Sequence, residues 1–436
     1  MSSNQQQGLL DLAPMRPLQV VVIALCVLLN ALDGFDVLAI SFASPGIAAE
    51  WRIDRAALGL VLSMELIGMA VGSVLLGNLA DRLGRRPTIL ICLLVMATGM
   101  AAATRASGVE MLSAIRFVTG LGIGGMLACA NAIVAEFANL KNRALAVTIM
   151  AAGYPVGAIV GGTIASHLLA TGSWREVFVF GAIATGAFLP LAVWLLPESP
   201  AFLAQSGRLN ALARVNKILT WLGHAVVDAL PAVTRSDKSG LAGLFSPPLR
   251  AATLLLTAAY FAHIMTFYFI LKWIPKIVVD MGYPPAAAGQ VLVWANVGGL
   301  AGALLLSLLT RRASLRWLIM AAFAGSVVMV SWFGQGAHDL AALSVVAAVT
   351  GFFTNAGVVG LYALLAQAFP AKLRGSGTGL VIGVGRAGSA LGPITAGALF
   401  ASGAGLPMVA VLMAAGSGIA AAALLTLWVL GARRAT

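Results

Sequence analysis

Seven stretches of eighteen or more residues contain no charged side chain: 87–104, 117–135, 144–166, 177–197, 281–310, 317–337 and 340–371. An α-helix needs roughly 20 apolar residues to cross a hydrocarbon core about 30 Å thick, so each run is long enough to span. Five further runs, 18–45, 56–80, 251–274, 375–401 and 406–431, complete twelve, and most of these carry charge or histidine inside the span. Charged residues make up 10% of the chain, against about 25% in soluble domains, and mean hydropathy is +0.97. A water-soluble globule is excluded. The expected fold is an all-α membrane protein of twelve transmembrane helices in two six-helix bundles.

The formal charge of +12 raises the question of nucleic acid, and the placement of the bases answers it. Most of the 27 bases fall in the loops on one side, including Arg82, Arg85, Arg86, Lys141, Arg143, Arg208, Arg235, Lys238, Lys372 and Arg374. The opposite loops hold Arg52, Arg55, Arg105, Arg175 and Lys276. Positive loops stay inside, so both termini are expected in the cytoplasm, and no nucleic-acid partner is expected. Residues 1–17 are polar and short, and no small-residue cleavage site precedes Asp33, so the first helix reads as uncleaved. Cys26, Cys92 and Cys129 lie in apolar runs and read as small core residues.

The one long polar stretch divides the chain into a first bundle at 1–197, a cytoplasmic linker at 198–249 and a second bundle at 250–436. The halves resemble each other. At an offset of 230, Pro45, Gly68, Gly72, Arg82 and Arg86 meet Pro275, Gly298, Gly302, Arg312 and Arg316. At 231, Gly120, Arg143, Gly157 and Gly161 meet Gly351, Arg374, Gly388 and Gly392. A parallel duplication implies a substrate path between the halves.

The segment Gly77-Asn-Leu-Ala-Asp81-Arg82-Leu-Gly-Arg85-Arg86 resembles the signature loop of the major facilitator superfamily. Asp81 is expected to reach the amino end of the helix beginning at Gly375-Ser376-Gly377, where the helix dipole favours a carboxylate. That contact would close the cytoplasmic side, with Glu136 and Arg143 joining as an ion pair. The alternative is that these charges only fix topology. Further elements narrow the resemblance: Asp33-Gly-Phe-Asp36, Arg116-Phe-Val-Thr-Gly-Leu-Gly-Ile-Gly, Pro197-Glu-Ser-Pro200, and Arg374-Gly-Ser-Gly through Gly385-Arg386-Ala-Gly388. Together they are similar to the aromatic acid/proton symporter family. What this implies is uptake of benzoate-like or hydroxylated aromatic carboxylates across a bacterial inner membrane, with the paired aspartates important for transport. Glu65 and Lys272 depart from that family's pattern.

Ionisable groups in lipid are costly, so each one within a span is a candidate for function. Asp33 and Asp36 share a helical face and suit proton binding, with Arg116 as expected counter-ion; a permanent ion pair with Arg116 is the structural alternative. Arg386 lies about 17 Å into its helix, near the midplane, where a substrate carboxylate can accept its paired hydrogen bonds. A structural acid or helix carbonyls would satisfy it otherwise. His263 aligns with Asp33 and is expected to face the cavity, or else simply to pack. Lys272, nine residues on, points the other way and is expected to snorkel to the outer headgroups. Glu65 reads either as a second proton site or as a consequence of misjudged helix phase.

Tyr260 and Phe267 share a face with His263, and Trp294 and Asn296 offer a stacking surface and an amide in the next span. All four are expected to line the pocket, against the alternative of ordinary packing or an interfacial belt. The four histidines, His167, His224, His263 and His338, form no His-x-x-x-His pair, so neither a metal site nor an enzyme is expected. The functional expectation is a cofactor-free, monomeric carrier driven by the proton gradient. A sugar, polyol or drug carrier of the same fold is the alternative.

Overall fold

Several of the long helices start at residues that satisfy their free backbone amides. Asp54, Asn139 and Asp339 each precede a helix and accept the amide three residues on, at 2.7, 3.1 and 2.7 Å. The computed structural model describes residues 9–206, 209–230, 241–247, 249–337, 339–370 and 373–435. Arg208, Arg235, Lys238, His338 and Lys372 lie outside the described residues, as do the side chains of Arg374, Arg433 and Arg434.

The first long helices are α1 (Pro17–Trp51), α2 (Arg55–Leu83), α3 (Arg85–Ala103), α4 (Val109–Phe137), α5 (Leu140–Thr171) and α6 (Trp174–Leu195). Two short ones follow, α7 (Pro200–Gln205) and α8 (Ala211–Leu222). The second long set is α9 (Arg250–Asp280), α10 (Pro285–Leu309), α11 (Leu315–Phe333), α12 (Leu340–Ala368), α13 (Arg374–Ala401) and α14 (Leu406–Ala435). Among the described residues, 11 helices are long and apolar enough to cross a membrane. The remaining long helix, α13, carries Arg386 and a run of glycines and falls outside that set.

The internal repeat reappears as packing. Helix pairs α1·α5, α2·α4, α3·α4, α3·α6 and α1·α6 in the first set recur as α9·α13, α10·α12, α11·α12, α11·α14 and α9·α14 in the second. Matched glycines set the closest approaches. A Cβ on Gly68 would stand 2.1 Å from the Phe117 carbonyl, and one on Gly298 would stand 1.8 Å from that of Ala348. Only a missing side chain allows backbones so near in lipid.

The two sets meet through α2 with α13, α5 with α10, and α1 with α9. The contact is tight toward the Asp280 end. Ser63 Oγ donates to the Ala390 carbonyl at 2.7 Å, a Cβ on Gly59 of α2 would stand 2.6 Å from the Pro393 carbonyl of α13, and Arg55 pairs with Asp280 at 3.0 Å. Toward the Asp81 end the sets part: Cβ atoms on Gly77, Gly375, Gly379 and Gly383 would meet nothing within 4 Å.

Candidate functional site

The site begins on α1, where Gly34 presses on the Tyr154 carbonyl of α5; a Cβ there would stand 2.0 Å from it. Asp33 and Asp36 flank this contact and are buried. Neither carboxylate oxygen of Asp33 accepts a hydrogen bond. Asp36 Oδ2 accepts from Thr185 Oγ1 at 3.3 Å, and its main-chain carbonyl accepts from Arg116 Nη2 at 3.0 Å.

Arg116 is not bound to either aspartate carboxylate, contrary to expectation. Its Nη2 meets Glu65 Oε1 in a short contact, its Nη1 faces Met100 Sδ at 3.3 Å, and its guanidinium lies over the Phe178 ring. The cause is helix packing: Gly120 of α4 rests on the Glu65 carbonyl of α2, which brings the two side chains into one fully buried pair. Arg116 is thus spent inside the first set rather than offered to a ligand.

Lys272 also overturns its expectation. It is fully buried, not snorkelled; its Nζ crosses from α9 to donate to the Val37 carbonyl of α1 and lies 3.6 Å from Glu65 Oε2. Glu65 therefore sits between two cations from opposite halves. His263 faces the interior of the second set instead of the space between the sets. Its Nδ1 meets Ser417 Oγ at 2.9 Å and its Nε2 the Thr354 carbonyl at 2.8 Å, with Phe323 beside the ring. Every polar atom of the imidazole is satisfied, so it is a packing residue.

Arg386 stands on the second set at the plane between the two. It is half-buried, and its Nη1 reaches toward the Met69 carbonyl of α2 at 3.4 Å. Among the described residues no carboxylate lies within 4 Å of it, although Asp33 lies within its electrostatic reach. The α13 backbone beside it is pressed on Tyr260, since a Cβ on Gly385 would stand 1.9 Å from that ring. Tyr260 Oη is 3.0 Å from Tyr362 Oη, and Phe267 lies edge-on to Tyr268 at 5.3 Å. The Tyr154 and Tyr268 hydroxyls approach each other across the sets without completing a well-formed hydrogen bond. Tyr154 and Tyr362 were missed in the sequence. Their signal is scarcity: four of only 5 tyrosines in the chain gather here.

Two expected pocket residues lie elsewhere. Trp294 is 50% exposed on the same stripe of α10 as Leu305 and Leu308, an apolar outward face. Asn296 is buried, with its amide donating to the Leu292 carbonyl of its own helix at 2.9 Å.

At the other end, Asp81 is 69% exposed and pairs with Arg85 at 2.9 Å within its own loop. It does not reach α13, whose Gly375 has open space around it, because the sets are parted on this side. Glu136 and Arg143 do not pair with each other either. Arg85 lies 3.6 Å from Glu136, and Arg143 binds Asp11. Arg82 occupies the last turn of α2, and Arg86 Nη2 donates to the Val193 carbonyl at 2.7 Å. Glu198 holds the loop: its Oε1 accepts the amides of Arg85 and Ser199 at 2.9 Å and that of Arg86 at 3.4 Å. A carboxylate there complements the amino end of α3.

A model of the Major Facilitator Superfamily matches residues 26–333 and 256–436. The chain belongs to the major facilitator superfamily. Within it, the chain falls with the aromatic acid transporters. It is 30% identical over 419 residues to a gallate transporter of Pseudomonas putida, covering 95% of this chain and 93% of that protein. It is 28% identical to a 4-hydroxybenzoate transporter of Acinetobacter baylyi, covering 90% and 87%. The fold matches a D-xylose–proton symporter with TM-score 0.70 at 17% identity, over 91% of this chain and 97% of that one. An inward-open xylose transporter of E. coli also gives 0.70, at 19% identity, over 94% and 96%. The protein is a multi-pass membrane transporter and not an enzyme.

Proposed function

We propose that this transporter imports an aromatic carboxylate together with protons by alternating access. The observation that carries the reading is Arg386: a half-buried guanidinium between the two sets, with no carboxylate paired to it among the described residues and an unbonded Asp33 nearby. A guanidinium in that position binds a planar carboxylate through two parallel hydrogen bonds. The tyrosines around it supply faces for an aromatic ring. Proton uptake falls to Asp33 and Asp36, because carboxyls away from water gain from protonation and lose that gain once solvated.

In this reading α13 is the twelfth span, both termini are cytoplasmic, and the molecule works as a cofactor-free monomer in a bacterial inner membrane. The Asp81 side is then the cytoplasmic side, and the conformation described is open inward and closed outward. Asp81 meets the amino end of α13 only when the cytoplasmic side shuts. The relatives' aromatic substrates support this assignment over a sugar, polyol or drug.

The test is uptake into proteoliposomes under an imposed pH gradient, with labelled benzoate, 4-hydroxybenzoate and gallate. Accumulation of at least one acid, abolished by a protonophore, is expected. Failure of all three to accumulate or to exchange would reject the reading.

A further inference from the structure

Three cations and three carboxylates lie deep between the helices, and they are divided unequally. All three acids, Asp33, Asp36 and Glu65, belong to the first set, on α1 and α2. Of the cations only Arg116 accompanies them; Lys272 and Arg386 arrive on α9 and α13 of the second set. The six charges balance only while the sets touch here. Withdrawing the second set leaves the first with three acids and one arginine in a space that disfavours net charge.

We propose that Lys272 is a tethered cation that enters the acid cluster as the outer side closes and displaces a proton from Glu65. Outer closure and proton release are then one event. Its ammonium group lies 3.6 Å from Glu65 Oε2, an oxygen that accepts no hydrogen bond, and the ammonium's own hydrogen bond goes to the Val37 carbonyl across the interface. When the outer side is open, a proton sits on Glu65 Oε2 in place of the ammonium. On closure the O–H bond breaks, its electron pair stays on the carboxylate, and the proton passes to Asp33 and on to water at the parted Asp81 end. On α1, Asp33 lies four residues nearer that end than Val37, whose carbonyl holds Lys272, and it has both oxygens unbonded.

The groups around Lys272 are few. Among the described residues, α1 brings Asp33 and Asp36, α2 Glu65, α4 Arg116, α5 Tyr154 and α13 Arg386, while α9 itself carries Tyr268 and, one turn beyond Lys272, Lys276 paired with Asp280; α10 and α12 contain no charged residue. His263 on its own helix is bonded within the second set.

This inference rests on the proton-coupled reading, so its test avoids the substrate. A cysteine replaces Ser63, which is buried against the Ala390 carbonyl where the sets meet. The full chain in liposomes is treated from the Asp280 side with a membrane-impermeant maleimide between pH 5.5 and 8.5, and the signal of the chain without Ser63→Cys is subtracted. Each rate is divided by that of a free thiol, glutathione, at the same pH, because maleimide attacks the thiolate, whose fraction falls about tenfold per pH unit below a thiol pKa near 8.5; on that ratio, opening that takes up one proton gives a rise of about tenfold per pH unit of acidification. We expect that slope with Lys272 present and with Lys272→Arg, and a slope smaller by about tenfold per pH unit in Lys272→Met. Glu65→Gln, which removes the acid instead, is expected to lose the same slope and serves if Lys272→Met does not yield monodisperse protein. An unchanged slope in either of these two variants, or a flat profile with Lys272 and Glu65 both present, overturns the proposal. Exchange of an aromatic acid by the unmodified chain tests the carrier reading separately, so a working carrier with flat labelling rejects this inference alone.

Discussion

Arg386 on α13 reaches across the plane between the two sets toward the main-chain carbonyl of Met69 on α2, at 3.4 Å, and pairs with no carboxylate among the described residues. A carbonyl dipole is a weak partner for a full charge, so the guanidinium keeps capacity for an anion. Replacing Arg386→Gln removes a charge-assisted pair of about 1.5–3 kcal/mol, equal to ~10–150-fold in affinity. The half-saturating concentration of the acid in exchange assays should rise by that factor, and Arg386→Lys should recover only part of the loss because it cannot fork.

His263 is closed into the second set by Ser417 and Thr354. His263→Ala should therefore lower the thermal midpoint of the purified protein, since it leaves a cavity and removes two buried hydrogen bonds. Proton-driven accumulation per folded molecule should stay within about twofold of the unmodified chain, well inside the ~10-fold that 1.4 kcal/mol represents. Asp33→Asn should show the reverse: an unchanged midpoint and no accumulation.

The backbone of Gly157 lies against Ala31, with the Ala31 carbonyl 1.7 Å from where a Cβ would stand. Neither partner is a side chain that can turn aside. Gly157→Ala should cost at least about 1–3 kcal/mol through overpacking and sharply reduce the yield of monodisperse protein. Gly375→Ala, with open space around it, should leave the yield unchanged.

Glu198 holds three backbone amides at the start of α3 and of the segment leading into α7. Glu198→Ala should destabilise the signature loop by about 1 kcal/mol, as loss of a helix cap does. Faster proteolysis near Gly84 in detergent, with substrate affinity unaltered, is the expected readout.

Much of this was legible in the sequence because charge in an apolar run has no cheap place to rest. Asp33, Asp36 and Arg386 stood out on that ground, and the repeat offset announced pairs such as Gly68 and Gly298 before their contacts were seen. Partner choice was not legible. Arg116 pairs with Glu65 because of how α2 and α4 slide on Gly120, a register no single helix encodes. Lys272 and His263 were correctly placed on opposite faces of α9, but their surroundings were exchanged: the histidine face turns into its own set, and the lysine face turns toward α1. The expected contact of Asp81 with α13 is not made because the sets are parted on that side, and no pattern of residues reveals which state a chain will occupy.

The deep acids reside in one bundle, while the unpaired guanidinium and the Tyr260–Tyr362 pair reside in the other. Under the proposed function, the acids that take up protons and the guanidinium that binds cargo are carried by different halves, and Lys272 ties the two together. A hybrid that keeps residues 1–197 and borrows its remaining helices from a relative would then inherit the donor's taste for cargo, but keep the recipient's proton coupling only where the donor's α9 supplies a cation in the place of Lys272.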